Sequence, residues 1–144
     1  MKLHNILLCS LITFLSFQMN AQDLLKHQWK DRVLLIATNN TNTPKFQNQL
    51  KTLQNQEKNL KYRKLIIYQI TPSYYSQRVS EENKWTKRPE LYQKMKTNDN
   101  TFEVILIGLD GGEKLRQNEL LTTNKLFAII DGMPMRRAET GNKN

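Results

Sequence analysis

The chain contains one cysteine, and the position of that cysteine excludes a large class of chemistry. Cys9 lies in an N-terminal segment with the pattern of a cleavable export signal, in which Lys2 is positively charged and residues 6–17 are mostly apolar. Ala21 is a small residue at the expected cleavage point, so we predict a signal peptide over residues 1–21. A mature chain without a thiol forms no disulfide bond and performs no thiol exchange.

The apolar stretch of this segment is too short to span a bilayer, which needs about 20 residues. We therefore expect export to the periplasm, the cell surface or the extracellular space, with no transmembrane span after signal removal. The alternative is that the segment is kept as a membrane anchor. Lipidation of Cys9 is not expected, because apolar residues continue over residues 11–17 instead of ending at the cysteine.

Histidine is almost as scarce as cysteine, and only His27 follows the predicted signal. We interpret His27 as a partly exposed surface residue, and we expect no transition-metal site because its usual ligands are missing. The chain has no G-x-S-x-G motif and no glycine-rich phosphate loop. Glu81 and Glu82 are neighbours in a polar stretch and do not form an evident acid–base pair. We therefore predict no catalytic residue, no metal and no cofactor.

Charge of one sign is in excess: Lys and Arg total 22, against 13 Asp and Glu. Such an excess favours an acidic partner. Outside the cytoplasm, we expect that partner to be an acidic envelope protein or an anionic polysaccharide, and not a nucleic acid. The alternative is that the charge is spread over solvated faces and serves solubility.

Apolar patterning predicts the elements of the first half of the domain. Residues 33–38 form a continuous apolar run, which is typical of a strand covered on both faces. A helix is predicted to begin after Thr43, followed by proline at the first helical position, and to extend to Leu60. Residues 65–70 are predicted to form the second strand, which Pro72 ends.

The second half begins with a polar stretch, residues 73–88, to which the sequence assigns no regular structure. A short helix is predicted over residues 89–96. The last helix is predicted to be capped by Thr122 or Thr123 and to end at Asp131-Gly132.

Between these helices, Asp110-Gly111-Gly112 separates two strand-like runs at residues 102–109 and 113–117. This is a hairpin signal, because glycine readily adopts the positive φ of a tight turn. The element order is strand, helix, strand, helix, strand, strand, helix. It predicts an α/β fold with a mixed four-stranded sheet flanked by helices, whose first two strands are parallel. We expect one domain over residues 22–137 and a mobile tail at residues 138–144.

Three strings carry a resemblance to a known family: HQWKDRVLLI at residues 27–36, VILIGLDGGEKLR at residues 104–116 and IDGMPMRR at residues 130–137. They resemble the exported bacterial family called domain of unknown function 4174. That family is similar to a domain of animal extracellular proteins that include Equarin and sushi-repeat proteins. The resemblance implies a thioredoxin-like fold and an extracytoplasmic location, but it implies no catalytic residue.

A redox-active domain of that fold carries its reactive cysteine where the first core helix begins. Here that position is Asn42-Thr43-Pro44-Lys45, which cannot exchange thiols. The cis-proline that commonly precedes the third strand is replaced by Asn100-Thr101. The helix start either binds an anion through free N–H groups or is simply capped by Thr43.

Two groups of residues are candidate partner contacts. Arg136 and Arg137 follow the last predicted helix, where they either complement its dipole or bind an acidic partner. Tyr74, Tyr75 and Trp85 either pack half-buried over the sheet edge or present rings to sugars or to a protein.

The sequence therefore favours an exported, non-catalytic binding or interaction module. One alternative is a thiol-independent enzyme with a carboxylate site, which would show clustered, perturbed carboxylates in a concave pocket. Another is a redox helper that borrows the cysteines of a partner.

Overall fold

A computed structural model describes residues 22–77 and 84–141. The predicted signal peptide, Cys9 and the Glu81-Glu82 pair lie outside the described residues. The described residues form these elements in chain order: α1 (Gln22–Leu25), β1 (Arg32–Thr38), α2 (Pro44–Leu53), α3 (Glu57–Tyr62), β2 (Leu65–Ile70), β3 (Tyr74–Ser76), β4 (Thr86–Lys87), α4 (Pro89–Met95), β5 (Phe102–Ile107), β6 (Glu113–Gln117), α5 (Thr123–Gly132) and α6 (Pro134–Gly141).

Strand β1 lies inside one mixed sheet of order β4-β3-β2-β1-β5-β6. It pairs in parallel with β2 and antiparallel with β5. All of its residues are buried, which confirms the prediction of a strand covered on both faces. The parallel pair is possible because α2 and α3 carry the chain back across the sheet between β1 and β2.

The first core helix begins where the sequence predicts but is shorter than expected. The Thr43 hydroxyl accepts a hydrogen bond from the Phe46 N–H at 3.4 Å, and proline occupies the first turn. A single helix to Leu60 was the expectation, and that expectation is wrong. The chain leaves α2 after Leu53 and passes through Asn55 at φ 62° before α3 begins. Asparagine is among the residues that tolerate this left-handed conformation, so the break falls there.

The sheet has six strands instead of the four expected, because the polar stretch at residues 73–88 contributes two of them. Strand β3 pairs antiparallel with β2 and with β4. Both β3 and β4 are short and extend the sheet to its edge, where few side chains are buried. The apolar alternation that marks a half-buried strand is therefore missing from this stretch.

The remaining local predictions are confirmed. Strands β5 and β6 form an antiparallel hairpin, and Gly111 in its turn has φ +79°. The Thr122 hydroxyl caps α5 by accepting a hydrogen bond from the Lys125 N–H at 3.2 Å. The helix ends at Gly132, as expected.

The core forms two layers because alternate residues of the strands face opposite sides of the sheet. On one side the sheet packs against α2 and α5, through residues that include Leu34, Phe46, Leu50, Val104, Leu126 and Ile130. On the other side it packs against α1 and α4, through residues that include Val33, Leu35, Tyr68, Leu91 and Ile105. The α/β class and the placement of helices on both sides of a mixed sheet follow the sequence prediction.

The C-terminal segment contains a helix that the sequence did not predict. Residues 138–141, which we expected to begin a mobile tail, continue helix α6. Glu139 of this helix contacts Arg32 at the start of β1, and Arg136 contacts Asp131 of α5 and Glu139. Within residues 22–77 and 84–141, no helix is both long enough and apolar enough to cross a membrane.

A buried glutamine fixes the segment after β6 to helix α2. The Gln49 side chain is fully buried, its Nε2 donates to the Leu121 carbonyl at 2.9 Å, and its Oε1 accepts from the Leu121 N–H at 2.8 Å. One side chain thus satisfies both backbone groups of a buried residue that belongs to no helix or strand.

We expect Gln49→Leu to destabilise the fold by about 2–5 kcal/mol, since it leaves two buried backbone groups of Leu121 without partners. Chemical denaturation measures this loss. The control is Gln47→Leu on the exposed side of α2, where water replaces the bond from Gln47 Nε2 to the Thr41 carbonyl. Equal stability losses in the two variants would contradict this account of Leu121.

Candidate functional site

The β3–β4 edge brings two of the candidate aromatic residues to one face of the sheet. Tyr74 lies opposite Lys87 in the antiparallel register, so their side chains share a face. Trp85 immediately precedes β4, and alternation along the chain places it on the side of Lys87. Tyr74 and Trp85 are therefore diagonal neighbours, within reach of each other across the two strands.

These side chains are accessible. Tyr74 is 46% exposed and Trp85 is 37% exposed, and the side chain of Lys87 is exposed on the same face. Lys84, which precedes Trp85 in the chain, is exposed as well. We call Tyr74, Lys84, Trp85 and Lys87 the edge patch. It combines two aromatic faces with two positive charges.

Tyr75 has a different role from its neighbour. It is half-buried and stacks on Tyr68 of β2, with ring centroids 5.7 Å apart and an interplanar angle of 26°. Tyr75 thus belongs to the packing between β3 and the core, as the structural alternative for this stretch expected.

The arginine pair is divided in the same way. Arg136 is only 4% exposed; its Nη1 contacts Glu139 at 3.2 Å and its guanidinium carbon lies 4.2 Å from the centre of the Tyr62 ring. Arg137 is exposed. Both lie in α6, which packs against α5, whereas the aromatic candidates lie on β3 and next to β4. The candidate contacts therefore occupy two separate places.

At the start of α2, where a redox-active domain would carry its cysteine, the side chains make structural contacts instead. Thr43 caps the helix, and Lys45 pairs with Glu119 at 3.1 Å. No cis peptide bond occurs in the described part of the chain. Of the two alternatives for the helix start, the structure therefore supports capping by Thr43.

A site that the sequence analysis missed surrounds His27. The expectation of a partly exposed surface histidine is wrong, because His27 is only 6% exposed. Its Nδ1 lies 3.0 Å from Asp31 Oδ2, and its Nε2 lies 2.8 Å from the Tyr68 hydroxyl. The Trp29 N–H donates to the Leu109 carbonyl at 2.6 Å and so holds this segment against the turn between β5 and β6.

A cavity of about 230 Å³ lies beside these residues, between α1, α4 and the end of β5. Its apolar lining includes Leu24, Val33, Leu91, Met95 and Ile107. His27 and Asp31 are four residues apart, and this spacing in the sequence could have indicated their contact. Tyr68 is 41 residues away from His27, and no local pattern predicts that contact.

The polar groups of this cavity are engaged with one another. Both ring nitrogens of His27 have a hydrogen-bond partner, Asp31 at Nδ1 and the Tyr68 hydroxyl at Nε2, so neither nitrogen is open to a ligand in the cavity. At the rim, a hydrogen bond from Lys114 and another from the Gly112 N–H hold the pKa of Asp110 below its usual value. Asp110 is therefore ionised at neutral pH and is not a proton donor.

The most buried carboxylate among the described residues is also paired. Glu103, with a side chain 1% exposed, accepts a hydrogen bond from Arg116 Nη1 at 2.8 Å and another from Asn98 Nδ2 at 2.6 Å. Burial, and then the charge of Glu103, raise the pKa of Tyr92. Across the described residues, no three potential ligands among His, Asp and Glu come together to hold a metal ion.

A family model matches residues 23–139, which are most of the chain. The chain belongs to the family described as Domain of unknown function (DUF4174). The matched segment includes His27, the edge patch and Arg136. No curated protein matches the chain.

We expect Tyr68→Phe to destabilise the protein by about 1–3 kcal/mol, because the buried Nε2 of His27 loses its partner. The control is Tyr74→Phe, which removes an exposed hydroxyl and should change stability by less than about 0.5 kcal/mol. Urea denaturation compares the two variants. A Tyr68→Phe variant as stable as the control would show that the hydroxyl contributes nothing to holding His27.

Proposed function

We propose that the protein is an exported, non-catalytic, thioredoxin-like binding module whose edge patch binds an anionic polysaccharide. The export signal pattern of residues 1–21 supports the location. The thioredoxin-like assignment, and with it the relation to the Equarin and sushi-repeat domains, is supported by a parallel β1–β2 pair crossed by helices, followed by an antiparallel hairpin and a helix.

The observation that carries the binding role is that Tyr74 and Trp85 are both exposed on the face that Lys87 shares. Aromatic rings present flat apolar surfaces at low conformational cost, which suits the apolar faces of sugar rings. The ammonium groups of Lys84 and Lys87 are compact charges that can follow the carboxylates of a uronic acid polymer. Rings and cations in one patch therefore fit an acidic sugar chain better than a neutral one.

The positive charge of the surrounding segment also favours an anionic ligand. Over residues 73–88 the sequence contains four basic residues, Arg78, Lys84, Lys87 and Arg88, against Glu81 and Glu82. The whole chain carries a formal charge of +9. Attraction between exposed charges weakens as salt rises, so binding by this patch is expected to be salt-sensitive.

The absence of a catalytic role is supported by the state of the carboxylates near the cavity. Asp31 contacts His27, and Asp110 is hydrogen-bonded to Lys114. A carboxylic acid kept protonated for catalysis needs a raised pKa, and the pKa of Asp110 is lowered instead.

Fluorescence can test the proposal directly, since the chain has only two tryptophans, Trp29 and Trp85. In a Trp29→Phe variant, we expect polygalacturonate to change the emission of Trp85 at low salt, and dextran, a neutral polymer, to leave it unchanged. In the matched Trp85→Phe variant, Trp29 should not respond.

Substitutions separate the contributions of rings and charge. We expect Trp85→Ala to weaken polygalacturonate binding at least about tenfold, and Lys87→Ala to weaken it about 3- to 10-fold at low salt only. Lys58→Ala, on the exposed surface of α3, is the charge control and should have no effect. Equal binding of dextran, or an unchanged affinity in Trp85→Ala, would refute the proposal that the edge patch binds an anionic polysaccharide. If the same residues captured only an acidic protein, the partner would be an acidic envelope protein and not a polysaccharide.

A further inference from the structure

A cluster of buried arginines lies at the start of β1, where Glu139 of α6 contacts the strand. Arg32 is fully buried and Arg136 is 4% exposed. Arg63 and Lys64, which immediately precede β2, lie beside them, and the acidic residues in contact with this group are Asp131 and Glu139. Four cations therefore face two carboxylates.

Several donors of this cluster are buried without a partner. Arg32 Nη1 donates to the Arg63 carbonyl at 2.9 Å and to Glu139 Oε2 at 3.4 Å. Arg32 Nε and Nη2, and Arg136 Nη2, have no hydrogen-bond partner. Buried polar groups in native proteins are normally satisfied by protein, water or an ion, and an unsatisfied charged donor is costly.

Glu139 satisfies this group of donors poorly. One oxygen, Oε2, reaches both Arg32 Nη1 at 3.4 Å and Arg136 Nη1 at 3.2 Å, and Oε1 lies 3.7 Å from Lys64 Nζ with no hydrogen bond. Hydrogen bonds between ionised groups are usually about 2.7–2.9 Å long. The neighbouring pair, Arg63 to Asp131, has a distance of 2.6 Å and shows how close such contacts can be here.

The position of Glu139 on its helix also disfavours its negative charge. It lies in the last turn of α6, where the helix dipole disfavours a negative charge. Burial raises the pKa of Glu139, but the hydrogen bond from Arg136 and the charges of Arg32 and Lys64 together lower it below its usual value. The carboxylate thus stays ionised and serves as an internal anion.

We propose that Arg32, Arg136 and Lys64 form a binding site for a small oxyanion of the phosphate or sulfate type, and that Glu139 occupies this site when no such anion is bound. A tetrahedral anion presents several oxygens and can accept from several donors of each guanidinium group, whereas Glu139 Oε2 accepts at long distance from only one nitrogen of Arg32 and one of Arg136. Tyr62 and Phe127 hold the guanidinium groups of Arg136 and Arg63 at 4.2 Å from their ring centres. The site does not depend on the edge patch.

The enclosed position of Arg32 favours a free ion over a headgroup in a membrane surface. Its side chain has no exposed area, so a ligand must be small enough to enter where the Glu139 carboxylate leaves. The probes are therefore sodium phosphate and, as the alternative source of the same chemistry, vesicles of phosphatidylglycerol.

Glu139→Gln removes the internal anion and keeps the side-chain shape. We expect this variant to bind phosphate at least about tenfold more tightly than the unaltered protein in calorimetric titration. Its melting temperature should rise by at least about 3 °C in phosphate relative to sodium chloride of equal ionic strength. Glu119→Gln is the matched control, because it makes the same charge change at an exposed pair with Lys45 and should respond as the unaltered protein does.

A second substitution identifies the donors. Arg32→Lys in the Glu139→Gln background keeps the charge and removes the planar donor group, so it should abolish the phosphate effect. If that variant does not fold, Arg136→Lys in the same background takes its place. No difference between phosphate and chloride for Glu139→Gln would mean that water alone satisfies the donors, and would overturn the proposal. Binding to vesicles without a response to free phosphate would overturn it as well.

Discussion

The fold depends on the burial of strand β1. Neighbouring strands cover both of its edges, and helices cover both of its faces. Its backbone is bonded to β2 on one edge and to β5 on the other, while its side chains alternate between two apolar layers. A parallel neighbour requires a crossover, which α2 and α3 provide. The same alternation places Arg32 in the layer of Leu34 and Ile36, so a charged residue becomes fully buried and needs partners from α6.

Local signals in the sequence were sufficient for much of this fold. Thr43, Thr122 and the Asp110-Gly111-Gly112 turn act through groups a few residues away. The Thr43 cap and the turn were predicted, and the cap of α5 was narrowed to Thr122 or Thr123. The elements that were missed depend on distant partners. Strand β3 exists because β2 offers it a free edge, and α6 is held by its contacts with Arg32 rather than by an apolar face.

The candidate sites show the same limit at the level of single side chains. Tyr74 and Tyr75 are adjacent and chemically identical, yet only their register against β2 and β4 decides that one is exposed and the other packs on Tyr68. Arg136 and Arg137 differ in the same way, because only one faces Asp131 and Tyr62. The sequence identifies these residues as candidate contacts, but it does not show which of them are exposed to solvent and which pack against the core.

The pairing of Arg32 with Glu139 joins residues that are 107 positions apart in the chain. While the polypeptide emerges from the ribosome, the beginning of the central strand carries a guanidinium whose carboxylate has not yet been made. Because an unpaired buried charge is costly, collapse of that strand into an apolar layer is opposed until Glu139 is available. Burial of the central strand is thereby coupled to the docking of helix α6.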